Sequence, residues 1–163
     1  MGNTFTKMLQ KGMVLEDIAV KYLVKAYPGY CIIPTHDFKT SSGKGPRILR
    51  HKQPDVTLPD IMMVDPISKH MILVEVKRKK KPVLLPDHGM KRYAAVEAYK
   101  VKDYREAATF MDADLFFIIG IDSSKQLHMV ADQTFHIHNF NNQYSRCDNC
   151  CIEITSQNKV DSY

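Results

Sequence analysis

The sequence predicts an α/β sandwich around a mixed β-sheet. Three observations lead there: an apolar stripe at helical spacing through residues 13–26, two strand-like segments meeting at a tight turn near residue 67, and a helical stretch followed by the apolar run Leu115-Phe116-Phe117-Ile118-Ile119. A continuous run of that kind is typical of a strand buried on both faces.

The first helix begins near Gly12 or Met13, and Leu15, Ile18, Ala19, Tyr22, Leu23 and Ala26 form its apolar stripe. Pro28-Gly29 ends it. Residues 3–10 form a separate short helix, because Gly12 weakens a continuous one. Tyr30 to Thr35 reads as a strand, and residues 37–58 as a loop or long irregular hairpin punctuated by Pro46 and Pro54. Strands Asp60–Asp65 and Lys69–Lys77 follow, joined at Pro66-Ile67-Ser68. A helix from Lys91 to Met111 turns Ala94, Ala98, Val101, Tyr104, Ala108 and Met111 inward. After the Leu115–Ile119 strand and a turn at Asp122-Ser123-Ser124 comes a strand from Gln126 to Ala131, and Cys151–Thr155 forms the last. The Cys31 thiol, inside an apolar strand, is expected to be a small buried hydrophobe. Met62, Met63, Phe116 and Phe117 belong to the core.

With 163 residues, 44% hydrophobic and 25% charged, the chain can bury the core of one domain and is not compositionally disordered. We expect that domain to span 1–163, with its core over about 12–131 and residues 132–163 an accessory tail. No apolar run approaches the roughly 18 residues that span a membrane. Four cysteines, one early and three crowded near the end, do not make a disulfide framework. They point to a reducing, cytoplasmic setting. The 23 Lys and Arg against 18 Asp and Glu give +5, compatible with a polyanionic partner. The basic residues cluster, in Lys77-Arg78-Lys79-Lys80-Lys81 and again over Lys39, Lys44, Arg47, Arg50 and Lys52.

The chemistry lies in the hairpin. If its turn centres on Ile67-Ser68, residues whose numbers sum to 135 lie opposite one another. Asp60 then faces Glu75 at the side-chain separation of a cross-strand pair, about 4.5–5.5 Å. Lys77, two residues beyond, shares that face. Like charges directly opposite destabilise a sheet, whereas a divalent cation between them turns repulsion into coordination. Asp55, five residues before Asp60, would be about 17 Å from that position and cannot share the ion.

These residues resemble a known family. Pro59-Asp60 with Glu75-Val76-Lys77 on the next strand is similar to the signature of the PD-(D/E)xK nuclease superfamily, the restriction-endonuclease-like fold. Gly12, Glu16, Ala19, Tyr22-Leu23 and Gly29-Tyr30 resemble its amino-terminal helix, as seen in junction-resolving and phage-type members. The resemblance covers roughly residues 12–122 and implies a three-layer α/β/α sandwich with a central mixed sheet. It implies that Asp60, Glu75 and the Val76 backbone carbonyl hold Mg²⁺ or Mn²⁺, that Lys77 orients or helps deprotonate a water, and that Glu16 completes the metal shell or positions a water. Lys100 or Tyr99 occupies the region where many members place a glutamine.

The basic run leaves the carboxylate site directly, so Arg78, Lys79 and Lys80 are expected to contact phosphates, with Lys100 and the loop residues Arg47, Arg50 and Lys52 as further DNA contacts. A charge run is also commonly just a solvated face. In the tail, His136, His138, Cys147 and Cys150 hold the ingredients of a structural Zn²⁺ site, although a single CxxC specifies little.

The function expected is a metal-dependent endodeoxyribonuclease acting on duplex or branched DNA, structure-selective or non-specific and of phage or mobile-element type. By analogy it would work as a homodimer. The alternatives are a non-cleaving nucleic-acid-binding or assembly protein on the same fold, an exonuclease, and an RNA nuclease.

Overall fold

A computed structural model describes the backbone of residues 2–35, 48–49, 56–85, 89–132, 136–138 and 149–163, and the side chains of 12–35, 56–85, 89–132 and 150–163. The first helix, α1 (Gly2–Ala26), is one element and not two. Gly12 costs helix propensity, but one such residue does not break 25 residues of helix whose later turns are anchored on a sheet. Then come β1 (Cys31–Pro34), β2 (Ile48–Leu49) and β3 (Val56–Thr57), β4 (Ile61–Val64) and β5 (Met71–Lys79). Strands β6 (Val83–Leu85) and β7 (Lys91–Glu97) lead into α2 (Ala98–Phe110). The chain finishes with β8 (Ala113–Ile121), β9 (Gln126–Ala131), β10 (His136–His138), β11 (Asn149–Glu153) and β12 (Lys159–Ser162).

The central sheet has six strands in the order β1-β4-β5-β8-β9-β12. Strands β5 and β8 run parallel and the other pairs antiparallel, which makes it mixed. Against one face α1 packs Leu15, Ala19 and Leu23 on Ile61, Met63, Ile72, Val74, Val76 and Ile118. Against the other, α2 packs Val101, Tyr104, Ala107 and Ala108 on Leu73, Leu115, Phe117 and Ile119. A second sheet, β10-β11-β7-β6, contributes Ala94, Val96, Cys150 and Ile152 to that same core. Three layers result, with the outer layer around α2 part helix and part sheet.

Gly120 in β8 is what lets α1 sit so low. A Cβ there would fall 2.5 and 2.8 Å from the two methyl carbons of Leu15, so any larger residue would force that buried side chain to shift.

The expected helix from Lys91 is corrected. Residues 91–97 form β7, paired with β6 on one side and β11 on the other, and the helix begins at Ala98. Ala94, Ala95 and Ala98 fit helical spacing, but partners distant in sequence claim the segment as a strand. Strands β6 and β12 are additions that the sequence pattern did not suggest. Within the tail, β12 joins the central sheet as an edge strand and β11 enters the second sheet. Cys31 is likewise corrected: β1 is an edge strand, and its thiol is exposed rather than buried. Of the segment 37–58, the described parts are the paired strands β2 and β3 and the residues after them, so the contacts assigned to Arg47, Arg50 and Lys52 lie outside the described residues. No helix among the described residues is long and apolar enough to cross a membrane.

Candidate active site

The β4–β5 hairpin sets the geometry. Its turn is fastened by Asp65, whose carboxylate accepts the Ile67 N–H at 2.9 Å and the Ser68 hydroxyl at 2.5 Å, while Lys69 takes the left-handed conformation the reversal needs. Ile61 then pairs with Val74 and Met63 with Ile72, so the register follows the sum of 135 that the sequence implies. Extended by one residue, it sets Asp60 across from Glu75. Asp60 is anchored from two sides. Its backbone carbonyl accepts the Thr35 N–H at 2.8 Å, and its side-chain Oδ2 accepts the Val76 N–H at 2.8 Å. Thr35 also bonds the Pro59 carbonyl through its hydroxyl.

Glu75 is only 2% exposed, on the face of β5 that looks toward α2. Its Oε1 accepts the Tyr104 hydroxyl at 2.7 Å and is ion-paired with Lys77. Phe117, beside Glu75 in the parallel register, packs against the Tyr104 ring at 6.2 Å and helps hold it. The other carboxylate oxygen, Oε2, is buried with no hydrogen-bond partner. The Asp60 carboxyl, held on the Val76 N–H one residue along β5, acts electrostatically on Glu75.

Two acids so close in a poorly hydrated place resist ionising together. Burial, reinforced by Glu16 and opposed by Lys77 and the Val76 N–H, raises the Asp60 carboxyl to about 6. Burial and then Asp60 raise Glu75 to about 7, with Lys77 and Tyr104 pulling the other way. The Tyr104 hydroxyl is pushed well above its usual range by burial and by Glu75, so it stays a donor. Burial would lower the Lys77 ammonium, but Glu75, Asp60 and Glu97 together outweigh it and keep it charged above the ordinary lysine range. Glu16, on the half-buried border of α1, is raised by burial and then by Glu75 and Asp17, against the pull of Lys77. It therefore stands within electrostatic reach of both acids.

The donors gathered here are hard oxygens, and a buried carboxylate oxygen without a partner beside a second carboxyl is a place a hard cation satisfies. The residues fit Mg²⁺ or Mn²⁺ in kind. As they stand, however, no three His, Cys, Asp or Glu side chains among the described residues are gathered closely enough to hold a metal ion. Asp60 and Glu75 are brought together, and Glu16 stands further out.

The basic run divides by strand alternation. Lys79 shares the face of Glu75 and Lys77. Arg78 points to the other face, where it is ion-paired at 2.7 Å with Asp122, which also accepts the Tyr163 hydroxyl at 3.1 Å. Lys80 is exposed just past the strand end. On the first turn of α2, Lys100 lies 3.5 Å from Glu97 and over the Tyr99 ring. In the tail, Cys147 and the side chains of His136 and His138 lie outside the described residues. The β10–β11 register sets His136 opposite Cys151 and His138 opposite Asn149, while Cys150 is buried in the core beside Val96. Two residues at the site were not anticipated from the sequence: Tyr104, expected only in the core, and Glu97, expected inside a helix. The signal for Tyr104 was available, since a buried tyrosine hydroxyl needs a partner.

No protein-family model matches this chain, and no curated protein sequence does. Among solved structures, a Holliday junction resolvase from the archaeal hyperthermophile Archaeoglobus fulgidus superposes with a TM-score of 0.55 at 17% identity, covering 88% of this chain and 84% of that one. A nuclease from a fusselovirus covers 94% of this chain and 84% of its own at 15% identity, with a TM-score of 0.39 on which nothing is built. The likeness is one of fold: with its central mixed sheet and flanking helices, this chain has the restriction-endonuclease-like fold of the junction resolvase.

Proposed function

We propose that this chain is a metal-dependent nuclease that hydrolyses phosphodiester bonds in DNA as an endonuclease selective for structure rather than sequence. The observation that carries the reading is the buried, unpartnered Oε2 of Glu75 beside Asp60, with Lys77 on the same face. On this reading Asp60, Glu75 and the Val76 carbonyl hold Mg²⁺ or Mn²⁺, with Glu16 completing the set or positioning a water. A bound divalent cation lowers the pKa of water and neutralises charge at the phosphate. Lys77, kept as an ammonium by its carboxylate neighbours, donates to a phosphate oxygen and orients the attacking water; it is poorly suited to accept a proton. Tyr104 acts through Glu75, fixing which oxygen is engaged and leaving Oε2 free. The likeness to a Holliday junction resolvase supports branched DNA as the first substrate to try, and a homodimer as the form that would cut two strands. We take residues 1–163 as one nuclease domain.

The test is a panel of labelled flap, junction, nicked and linear DNA, incubated with Mg²⁺ or Mn²⁺ and with chelator. The wild type is compared with Asp60→Ala and Lys77→Ala. Metal-dependent cutting by the wild type alone is expected. A rival reading, a non-cleaving DNA-binding protein on the same fold, is favoured by the lack of a gathered three-ligand cluster among the described residues. It prevails if the wild type cuts no substrate faster than the variants.

A further inference from the structure

Past Lys77, the face of β5 that carries Glu75 continues to Lys79. One step of two residues along a strand is about 6.6 Å, close to the distance between neighbouring phosphates of a nucleic-acid strand. The Lys79 side chain is only partly exposed, yet its ammonium makes no hydrogen bond or ion pair with a described residue. Such an ammonium is costly to leave unpaired, and burial together with Lys77 and Lys100 pushes it toward losing its proton.

The carboxylate that acts on Lys79 is Glu97, the last residue of β7. Its carboxylate meets Lys100 only loosely, at 3.5 Å, and keeps more than a third of its surface in solvent. Burial would raise the Glu97 carboxyl, but its own N–H and Lys100, Lys77 and Lys79 hold it below the usual range. One carboxylate thus stands among three ammonium groups. A surface cluster built for stability alone gains little from such pairs and would balance its charges.

We propose that Lys79 and Lys100 bind the phosphate next to the one held at Asp60 and Glu75, and that the Glu97 carboxylate occupies their reach until a nucleic-acid strand displaces it. Calling that phosphate a neighbour rests on the nuclease reading; the anion site itself does not. The consequence for substrate is that the strand must continue past the cut on the Lys79 side, so cutting is internal rather than one nucleotide from that end.

The probe is a short fluorescent DNA duplex titrated in EDTA, with anisotropy read over a range of salt. Glu97→Gln is expected to tighten binding about 3–10-fold at low salt by removing the competing anion. Lys79→Gln is expected to weaken it by a similar factor and to reduce the slope of log affinity against log salt by about one. In the double variant the gain from Glu97→Gln should shrink, because the two charges act on one site. Unchanged or weaker binding by Glu97→Gln, or an unaltered salt slope in Lys79→Gln, overturns the proposal. If Glu97→Gln loses helicity at the start of α2, the salt slopes of Lys79→Gln and Lys100→Gln decide alone. Because binding is read without metal, a protein that fails to cut can still confirm this site, and one that cuts can still refute it.

Discussion

The Tyr104 hydroxyl donates to Glu75 Oε1 at 2.7 Å, spanning 29 residues of sequence from α2 to the central strand. Removing that hydroxyl takes away a neutral donor and leaves Oε1 to the Lys77 ammonium. Tyr104→Phe is expected to weaken Mn²⁺ binding about 10–100-fold, the usual cost of losing a group that orients a ligand. Calorimetric titration with Mn²⁺ checks it, and the pH profile of cutting should move upward because Glu75 loses a donor that favours its ionised form. An unchanged profile would reduce Tyr104 to packing.

Without metal, the protein should become less stable as pH rises from about 4 to about 7. Unfolded, both carboxyls titrate near pH 4. Folded, Asp60 keeps its proton to about 6 and Glu75 to about 7, so across that window the folded state binds more protons and loses stability as they leave. Glu75→Gln should therefore raise the Tm of metal-free protein at about pH 7.5, by a gain on the order of a few kcal/mol, and change little at about pH 4. Thermal melts at the two pH values decide it, and added Mg²⁺ should flatten the wild-type slope.

Lys77→Gln keeps a polar side chain and removes the charge. Metal-dependent cutting is expected to fall about 10²–10⁴-fold while affinity for DNA changes by less than about tenfold. Single-turnover rates beside a binding titration separate the two. An equal loss in both would make Lys77 a binding residue only.

Gly120→Ala should cost about 1–3 kcal/mol in urea unfolding, because the new methyl group meets Leu15 in a packed core. Leu15 adjoins Glu16, so this substitution also tests whether the seating of α1 matters to cutting.

The hairpin and its pairing of Asp60 with Glu75 were legible in the sequence because turn chemistry and strand alternation are local. Residues 91–97 were not, because Ala94-Ala95 and Ala98 satisfy a helical period and only β6 and β11 claim the segment as a strand. The split of the basic run was not legible, because the strand was expected to end at Lys77 and only its extension to Lys79 turns Arg78 and Lys79 to opposite faces. Nor was the opposition of Arg78 and Asp122, 44 residues apart. Tyr104 read correctly as inward, but nothing in its spacing said that it would meet an acid.

The parallel pairing of β5 with β8 forces the chain to travel out through β6, β7 and α2 before it can return. Both carboxylates are already present in the early hairpin, yet the hydroxyl that steadies one of them arrives only with that excursion. If the protein cuts DNA as proposed, the acids are synthesised well before the hydroxyl that orients one of them, so that orienting contact exists only once the chain has come back through α2.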